Sequence, residues 1–382
     1  MKKFLAILLA VVMCAVMFAG CQTAEPEETE TPEATATPET AAEATPEAEQ
    51  TETGTYELAM ITDIGTIDDK SFNQGTWEGV KQYADDNGIT CKYYKPTEQS
   101  NDAYLAAIQL AVEGGAKVIA TPGYLFEVPI YMAQDLYPDV DFILIDGNPH
   151  DADYNYRTNS NVVGITYAEE QSGFLAGYAC VKDGYTKLGF MGGMAVPAVV
   201  RYGYGFVQGA EYAAAEMGIT GIQIMYHYTG GFEATPEAQS LAASWYTSGT
   251  QVIFGCGGAV GFSVFAAAEA NNGKSIGVDV DQSGESDTVI TSAMKGLSAS
   301  VYQTLEAYYA GSFPGGQALV KDASNQGVGL PMDTSKFTTF TQADYDAIYA
   351  KLVDGSVTLL KDTDAATVND LPLTATTVTL VE

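Results

Sequence analysis

Short apolar runs alternate with stretches of helical periodicity along most of this chain. Runs at 56–61, 90–94, 117–121, 141–146 and 161–165 read as strands, with helices over 71–87, 101–113 and 127–136. The pattern then repeats, with strands at 187–191, 222–228, 251–254 and 275–279 separated by helices at 197–217, 236–248 and 261–271. Strand-helix alternation of this kind means parallel sheets joined by right-handed crossovers. Two such series in one chain predict an α/β protein with two doubly wound parallel-sheet lobes and a cleft between them.

The first helix carries a local anomaly. Ser71 with Gln74 reads as a capping box, and Gly88 as the stop. Trp77, Val80 and Ala84 then form one apolar stripe, and Phe72 lies about 100° away from it. Phe72 is therefore a poor core residue. In open α/β sheets ligands sit at the carboxyl ends of strands, which places Asp63, Phe72 and Asn73 in the cleft. The alternative is a surface turn with a half-buried Phe. Asp146 and Asp279 also end apolar runs, and Phe254 ends a fourth. One such Asp is usually a cap or a solvated loop residue, but three at corresponding ends suggest a site. The loop Gly255-Cys256-Gly257-Gly258-Ala259-Val260-Gly261 lacks the Lys-Ser/Thr of a phosphate loop and has Val260 where a dinucleotide fingerprint needs Gly. It reads instead as a loop whose backbone closes on a ligand at a helix start.

Composition sets the N-terminal segment apart. Lys2-Lys3, an apolar run over 4–18 and Phe18-Ala19-Gly20-Cys21 form a secretory signal over 1–20 ending in a lipobox-like site, with Phe18 where Leu is usual. Cleavage would leave Cys21 as a lipidated first residue at the extracytoplasmic face of the cell membrane. An uncleaved anchor or an ordinary signal peptide is the alternative, and each places the domain outside the cytoplasm. Residues 22–53 are nearly all Ala, Glu, Pro and Thr, which cannot bury enough apolar surface to offset ordering and so form a disordered tether.

Charge narrows the partners. With 49 acidic against 17 basic residues the net charge is −32, which repels nucleic acid and anionic membrane. The only arginines are Arg157 and Arg201, so ligands that need bidentate anion clamps are disfavoured. Cys91, Cys180 and Cys256 are scattered singly and read as small core residues; His150 and His227 lack ligand spacing, so neither a metal site nor a Cys-His nucleophile is supported. Paired acids such as Asp68 with Asp69, or Asp279 with Asp281, leave a glycosidase or nucleoside hydrolase imaginable. Adjacent acids more often cap helices and face solvent.

Several motifs together resemble one family. Asp63-Ile64-Gly65 with Asp68-Asp69-Lys70-Ser71-Phe72-Asn73-Gln74, Phe142-Ile143-Leu144-Ile145-Asp146, Gly173-Phe174-Leu175-Ala176-Gly177, Gly189-Phe190-Met191-Gly192-Gly193, Ile276-Gly277-Val278-Asp279-Val280-Asp281-Gln282, and Thr291-Ser292 with Lys295 run in its order over about 55–332. The chain resembles the basic membrane protein lipoproteins, nucleoside-binding receptors of ABC importers. The resemblance implies a base stacked between Phe72 and Phe254, with Asp146 and Asn73 on its polar edge. Asp63, Asp279 and Lys295 would hold the ribose hydroxyls, and Gly258 would lie in the ligand loop. Two departures stand out: Gly258-Ala259-Val260-Gly261 replaces a loop closer to Gly-Gly-Thr-Gly, and Arg201 and Tyr202 occupy a place for apolar cleft lining.

The implied architecture is a type I periplasmic-binding-protein fold crossed three times by the chain, near 162–168, 288–296 and 320–330. Its lobes are 54–162 with 292–325, and 163–291 with 326–382. The implied partners are a nucleoside, purine favoured, and an ABC permease, with no cofactor and no reaction. A tethered receptor has no need to self-associate and is read as a monomer. The rivals are a sugar or polyol receptor of the same fold, a surface nucleosidase, and a sensor or antigen that binds the same ligand without transport.

Overall fold

The computed structural model describes residues 55–381. The signal segment, Cys21 and the tether lie outside the described residues. In chain order the first series is β1 (Leu58–Ile61), α1 (Phe72–Asn87), β2 (Cys91–Tyr94), α2 (Asn101–Glu113), β3 (Val118–Pro122), α3 (Glu127–Leu136), β4 (Asp141–Ile145) and β5 (Val162–Tyr167). The second is α4 (Glu169–Lys182), β6 (Lys187–Gly192), α5 (Pro197–Met217), β7 (Ile222–Tyr228), α6 (Pro236–Thr247), β8 (Val252–Cys256), α7 (Val260–Asn271), β9 (Lys274–Asp279) and β10 (Val289–Lys295). The chain ends with α8 (Leu297–Tyr309), β11 (Gln317–Lys321), β12 (Val328–Gly329), α9 (Gln342–Val353) and β13 (Thr376–Leu380).

These strands form two sheets, ordered β11-β5-β4-β3-β1-β2 and β12-β10-β9-β8-β6-β7-β13. All pairs are parallel except β12 with β10. Without β11, β12 and β13 the two sheets repeat one doubly wound order, and the strand order reverses between β1 and β3 and between β6 and β8. Side chains alternate between two cores, as expected of a sheet covered on both faces. Leu58 and Met60 enter one, Ala59 and Ile61 the other.

The sheets locate the passages of the chain between the lobes. β5 pairs wholly within the first sheet and β10 within the second. Sheet membership therefore changes after Tyr167 and again after Lys295, because each closing strand completes its ladder before the chain crosses. A third passage links β11 to β12 over 322–327.

Helix α4 has no counterpart among the expected helices. Twelve of its 14 residues are buried, so no polar face marks its period. It crosses α5 backbone to backbone. A Cβ at Gly173 would lie 2.1 Å from the Tyr202 carbonyl oxygen, and one at Gly177 2.0 Å from that of Phe206. From the other side, Gly205 and Gly209 would meet the carbonyl oxygens of Glu170 and Phe174, each at 2.0 Å. No helix among the described residues is long and apolar enough to cross a membrane.

This crossing makes a direct test of the packing. Gly177→Ala would gain about 0.5–1 kcal/mol of helix propensity, yet overpacking typically costs about 1–3 kcal/mol. Steric overlap with backbone wins, so the variant should unfold at lower denaturant. Urea unfolding followed by circular dichroism checks this, and an unchanged or higher midpoint would count against the close crossing.

Candidate functional site

The carboxyl ends of both sheets face one cavity of about 330 Å³, within the roughly 300–1,000 Å³ of small-molecule sites. Asp63, Phe72, Asn73, Asp146, Gly258, Asp279 and Lys295 all line it. Phe254 does not. Its side chain has no exposure and lies edge-on to the rings of Phe190, Tyr202 and Phe206. β8 runs two residues beyond its expected end, so Phe254 is mid-strand and Cys256 is the residue that reaches the cavity. Cys256 is thus buried yet on the wall, rather than a core residue alone. The second sheet supplies its aromatic side chain elsewhere. Phe232, half-buried after Gly230-Gly231 at the carboxyl end of β7, lines the cavity and packs over Gly257 and Gly258. Those two glycines have φ of 125° and 52°, which is why the loop accepts the ring so closely. A lone aromatic in a polar, glycine-rich strand end was the available signal for Phe232, the same signal that marks Phe72.

The start of α1 departs from expectation in a useful way. Ser71 makes no side-chain cap bond. Asp69 caps the helix instead, accepting from the amides of Ser71 and Asn73 at 2.9 Å and of Gln74 at 3.0 Å. A carboxylate accepts several N–H bonds at once and complements the positive end of the helix dipole, which one hydroxyl cannot match. The Ser71 hydroxyl is left to donate across the cleft to Asp279. Gln282 of the second lobe likewise donates to the Lys70 carbonyl at 2.7 Å. The Asn73 side chain donates to Asp63 and to Asp69, both at 2.9 Å. Burial pushes the Asp63 carboxyl up, opposed by the bonds from Gly65 and Asn73.

The cavity floor is a cluster of buried charges. The Lys295 ammonium is 2.5 Å from Asp146, 3.3 Å from Asp279 and 3.9 Å from Glu169. It also lies 4.5 Å from the centre of the Phe72 ring. Asp146 directly follows β4 and Asp279 ends the corresponding strand β9, with φ of 58° and 67°. Left-handed backbone at a non-glycine residue is strained and collects at functional sites. Burial alone would depress Lys295, but the carboxylates of Asp146 and Asp279 more than offset this and hold it protonated. Arg201 is not on the wall. It pairs with Asp362 at 2.7 Å and Glu169 at 3.6 Å.

Glu169 had no signal in the sequence, because it opens α4, the helix whose burial on all sides hides its period. Burial, then the neighbouring Asp146, push its carboxyl well above the ordinary range, against the pull of Lys295 and Arg201. Asp146 Oδ1 and Glu169 Oε2 each lack another hydrogen-bond partner, and the two carboxyls are within bonding reach of each other. One proton held on Glu169 satisfies both. The folded protein therefore keeps a proton that the unfolded chain releases, and this contribution is lost as pH rises through the folded value. Glu169→Gln keeps a donor toward Asp146 and removes the titration. Its melting temperature relative to wild type should rise by roughly 2–4 °C between about pH 5 and about pH 8. A difference that stays flat or falls would mean that Glu169 is ionised in the fold.

Residues 56–354 match the family described as ABC transporter substrate-binding protein PnrA-like. The chain is 29% identical over 327 residues to the ABC transporter nucleoside-binding protein BmpA of Lactococcus lactis subsp. cremoris, covering 79% of this chain and 88% of that protein. It is 28% identical to basic membrane protein A of Borreliella afzelii, over 80% of this chain and 92% of that one. Solved ABC transporter solute-binding proteins from Aeropyrum pernix and Conexibacter woesei superpose with TM-scores of 0.72 and 0.64 at 20% and 24% identity. They cover 82% and 80% of this chain, and 95% and 99% of their own. These likenesses establish the type I periplasmic-binding-protein fold, and with the family match they lead to one conclusion: the chain belongs to the PnrA-like, basic membrane protein family of ABC transporter substrate-binding proteins.

Proposed function

We propose that the cavity binds an intact nucleoside, purine favoured, and that the protein hands it to an ABC importer from a lipid anchor at Cys21 on the outer face of the cell membrane. The observation that carries this reading is the pairing of two aromatic side chains, Phe72 and Phe232, with convergent carboxylates in one cavity. A nucleoside is a flat aromatic joined to a diol. It needs ring faces to stack on and carboxylates to accept its N–H and O–H protons. In this reading the base stacks on Phe72, with Phe232 in the role implied for Phe254. Asp146 and Asn73 take its polar edge, Asp63, Asp279 and Lys295 the sugar hydroxyls, and the Gly258 loop closes over it. The named function of the Lactococcus relative supports the same ligand class.

The electrostatics favour a neutral ligand. Asp63, Asp68, Asp69, Asp146, Glu233 and Asp279 line the cavity against Lys95 and Lys295. A phosphate would add negative charge to a surplus of acids, and one uncompensated contact at about 4 Å costs roughly 4 kcal/mol at an intermediate dielectric. The role is binding, without turnover, and the receptor acts as a monomer.

Isothermal titration of ligand-stripped protein against guanosine, adenosine, cytidine, ribose, guanine and guanosine monophosphate tests the reading. Tight binding of an intact nucleoside, with ribose, free base and nucleotide all weak, is expected. Phe72→Ala should raise the dissociation constant roughly 5- to 150-fold, since base stacking is worth about 1–3 kcal/mol. Ribose alone binding well would point to a sugar receptor, and release of free base over hours would point to a hydrolase.

A further inference from the structure

The loop that follows Asp146 is built around one imidazole. His150 is buried, and so is Glu127 at the start of α3. The His150 Nδ1 lies 2.6 Å from the Asp151 carbonyl oxygen, and its Nε2 lies 3.0 Å from a Glu127 carboxyl oxygen. A carbonyl oxygen only accepts, and a neutral imidazole has a single N–H. With that hydrogen on Nε2 alone, a bare Nδ1 lone pair would press against the carbonyl oxygen. Nδ1 therefore carries hydrogen, and one further proton lies between Nε2 and Glu127. Burial pushes the Glu127 carboxyl up, against the lowering effect of the Asn148 amide, His150 and Arg201.

The same imidazole seats a tyrosine that the fold otherwise holds weakly. The Tyr154 ring stacks on it with centres 4.5 Å apart and planes 23° apart, and Tyr156 meets it edge-on at 5.1 Å. Tyr154 is 59% exposed and has φ of 60°, a left-handed backbone that is strained at a bulky residue and collects at functional sites. Its hydroxyl is 3.3 Å from that of Tyr124, and Tyr124 lines the cavity from the turn before α3. The other carboxyl oxygen of Glu127 accepts from the Asn148 amide at 2.8 Å, two residues beyond Asp146. One proton-sharing pair thus reaches the cavity wall by two routes.

We propose that His150 is a positioning residue for the cavity: with hydrogen on Nδ1 and a proton shared with Glu127, it seats Tyr154 and thereby Tyr124, so that ligand affinity falls when the shared proton is lost. For its ligand this rests on the nucleoside reading above. The groups that face the pair are Tyr124 from the turn before α3, Arg201 from α5, and Asp151, Tyr154 and Tyr156 from the loop itself. The Arg201 cation acts against the shared proton and the Asp151 carboxylate for it, and rising pH removes it.

Glu127→Gln separates the proton from the packing. The amide oxygen still accepts from Asn148, and the amide N–H donates to Nε2 of a neutral imidazole, so the arrangement persists without an ionisable partner. Between about pH 6 and about pH 8 the guanosine affinity of wild type, relative to this variant, should fall roughly 5-fold. Titration of Glu169 is common to both proteins and cancels in the ratio. Tyr154→Phe keeps the stack and removes the hydroxyl, and it should bind guanosine roughly 2- to 10-fold more weakly with an unchanged melting temperature. A His227→Gln background leaves His150 as the only histidine, and long-range proton-nitrogen correlation spectra should then show hydrogen on Nδ1 at neutral pH. A ratio that stays flat with pH, unchanged guanosine affinity in Tyr154→Phe, or a bare Nδ1 would each overturn the proposal. If wild type binds no guanosine at either pH, the nucleoside reading fails and the affinity claim fails with it, a result that the imidazole spectrum tells apart from a bare Nδ1.

Discussion

The site depends on one buried ammonium. Lys295 ends β10 in the second lobe with a side chain 3% exposed, and its nearest partner, Asp146, directly follows β4 in the first. An unpaired charge at such depth is prohibitive, whereas a paired one is tolerated when its remaining bonds are also satisfied. Asp279, Glu169 and the face of Phe72 complete that environment. Because the partners come from both lobes, the position of the lobes and the charge balance of the cavity are one problem. A neutral polyol can exchange hydrogen bonds with these groups, but an added anion would upset the balance.

Two backbone features hold the charges where they are. Asp146 and Asp279 both turn out of their strands in the left-handed region, at equivalent places in two sheets of the same winding order. Behind them the glycine contacts between α4 and α5 bring Glu169, at the start of one helix, beside Arg201 and Tyr202 on the other. With a Cβ at those glycines the helices would have to separate, and the acid behind Asp146 would move with them. The fold thus places a close helix crossing directly behind the charged floor of its cavity.

Much of the framework was legible along the chain. α2, α3, α5 and β7 fall on the periods that mark them, and Gly88 ends α1 in the left-handed conformation. α4 was not legible, because a helix buried all round has no polar stripe to announce it. The position of Asp63, Phe72 and Asn73 followed from one strand end and one misplaced aromatic. The Asp69 cap did not: Ser71 fits the capping pattern locally, and only the presence of Asp279 across the cleft gives its hydroxyl another use.

The sequence by itself determined the alternation of strands and helices, the acidic ends of three strands and the family motifs, since periodicity and short-range spacing are properties of neighbouring residues. Tertiary structure decided everything that depends on distance through space. A shift of two residues in the end of β8 put Phe254 in the core and Cys256 on the wall, and left Phe232 to supply the ring. The same holds for Glu169, whose state comes from what surrounds it. Burial and neighbouring charge are set by the packing of segments far apart in the chain, and no local pattern encodes them.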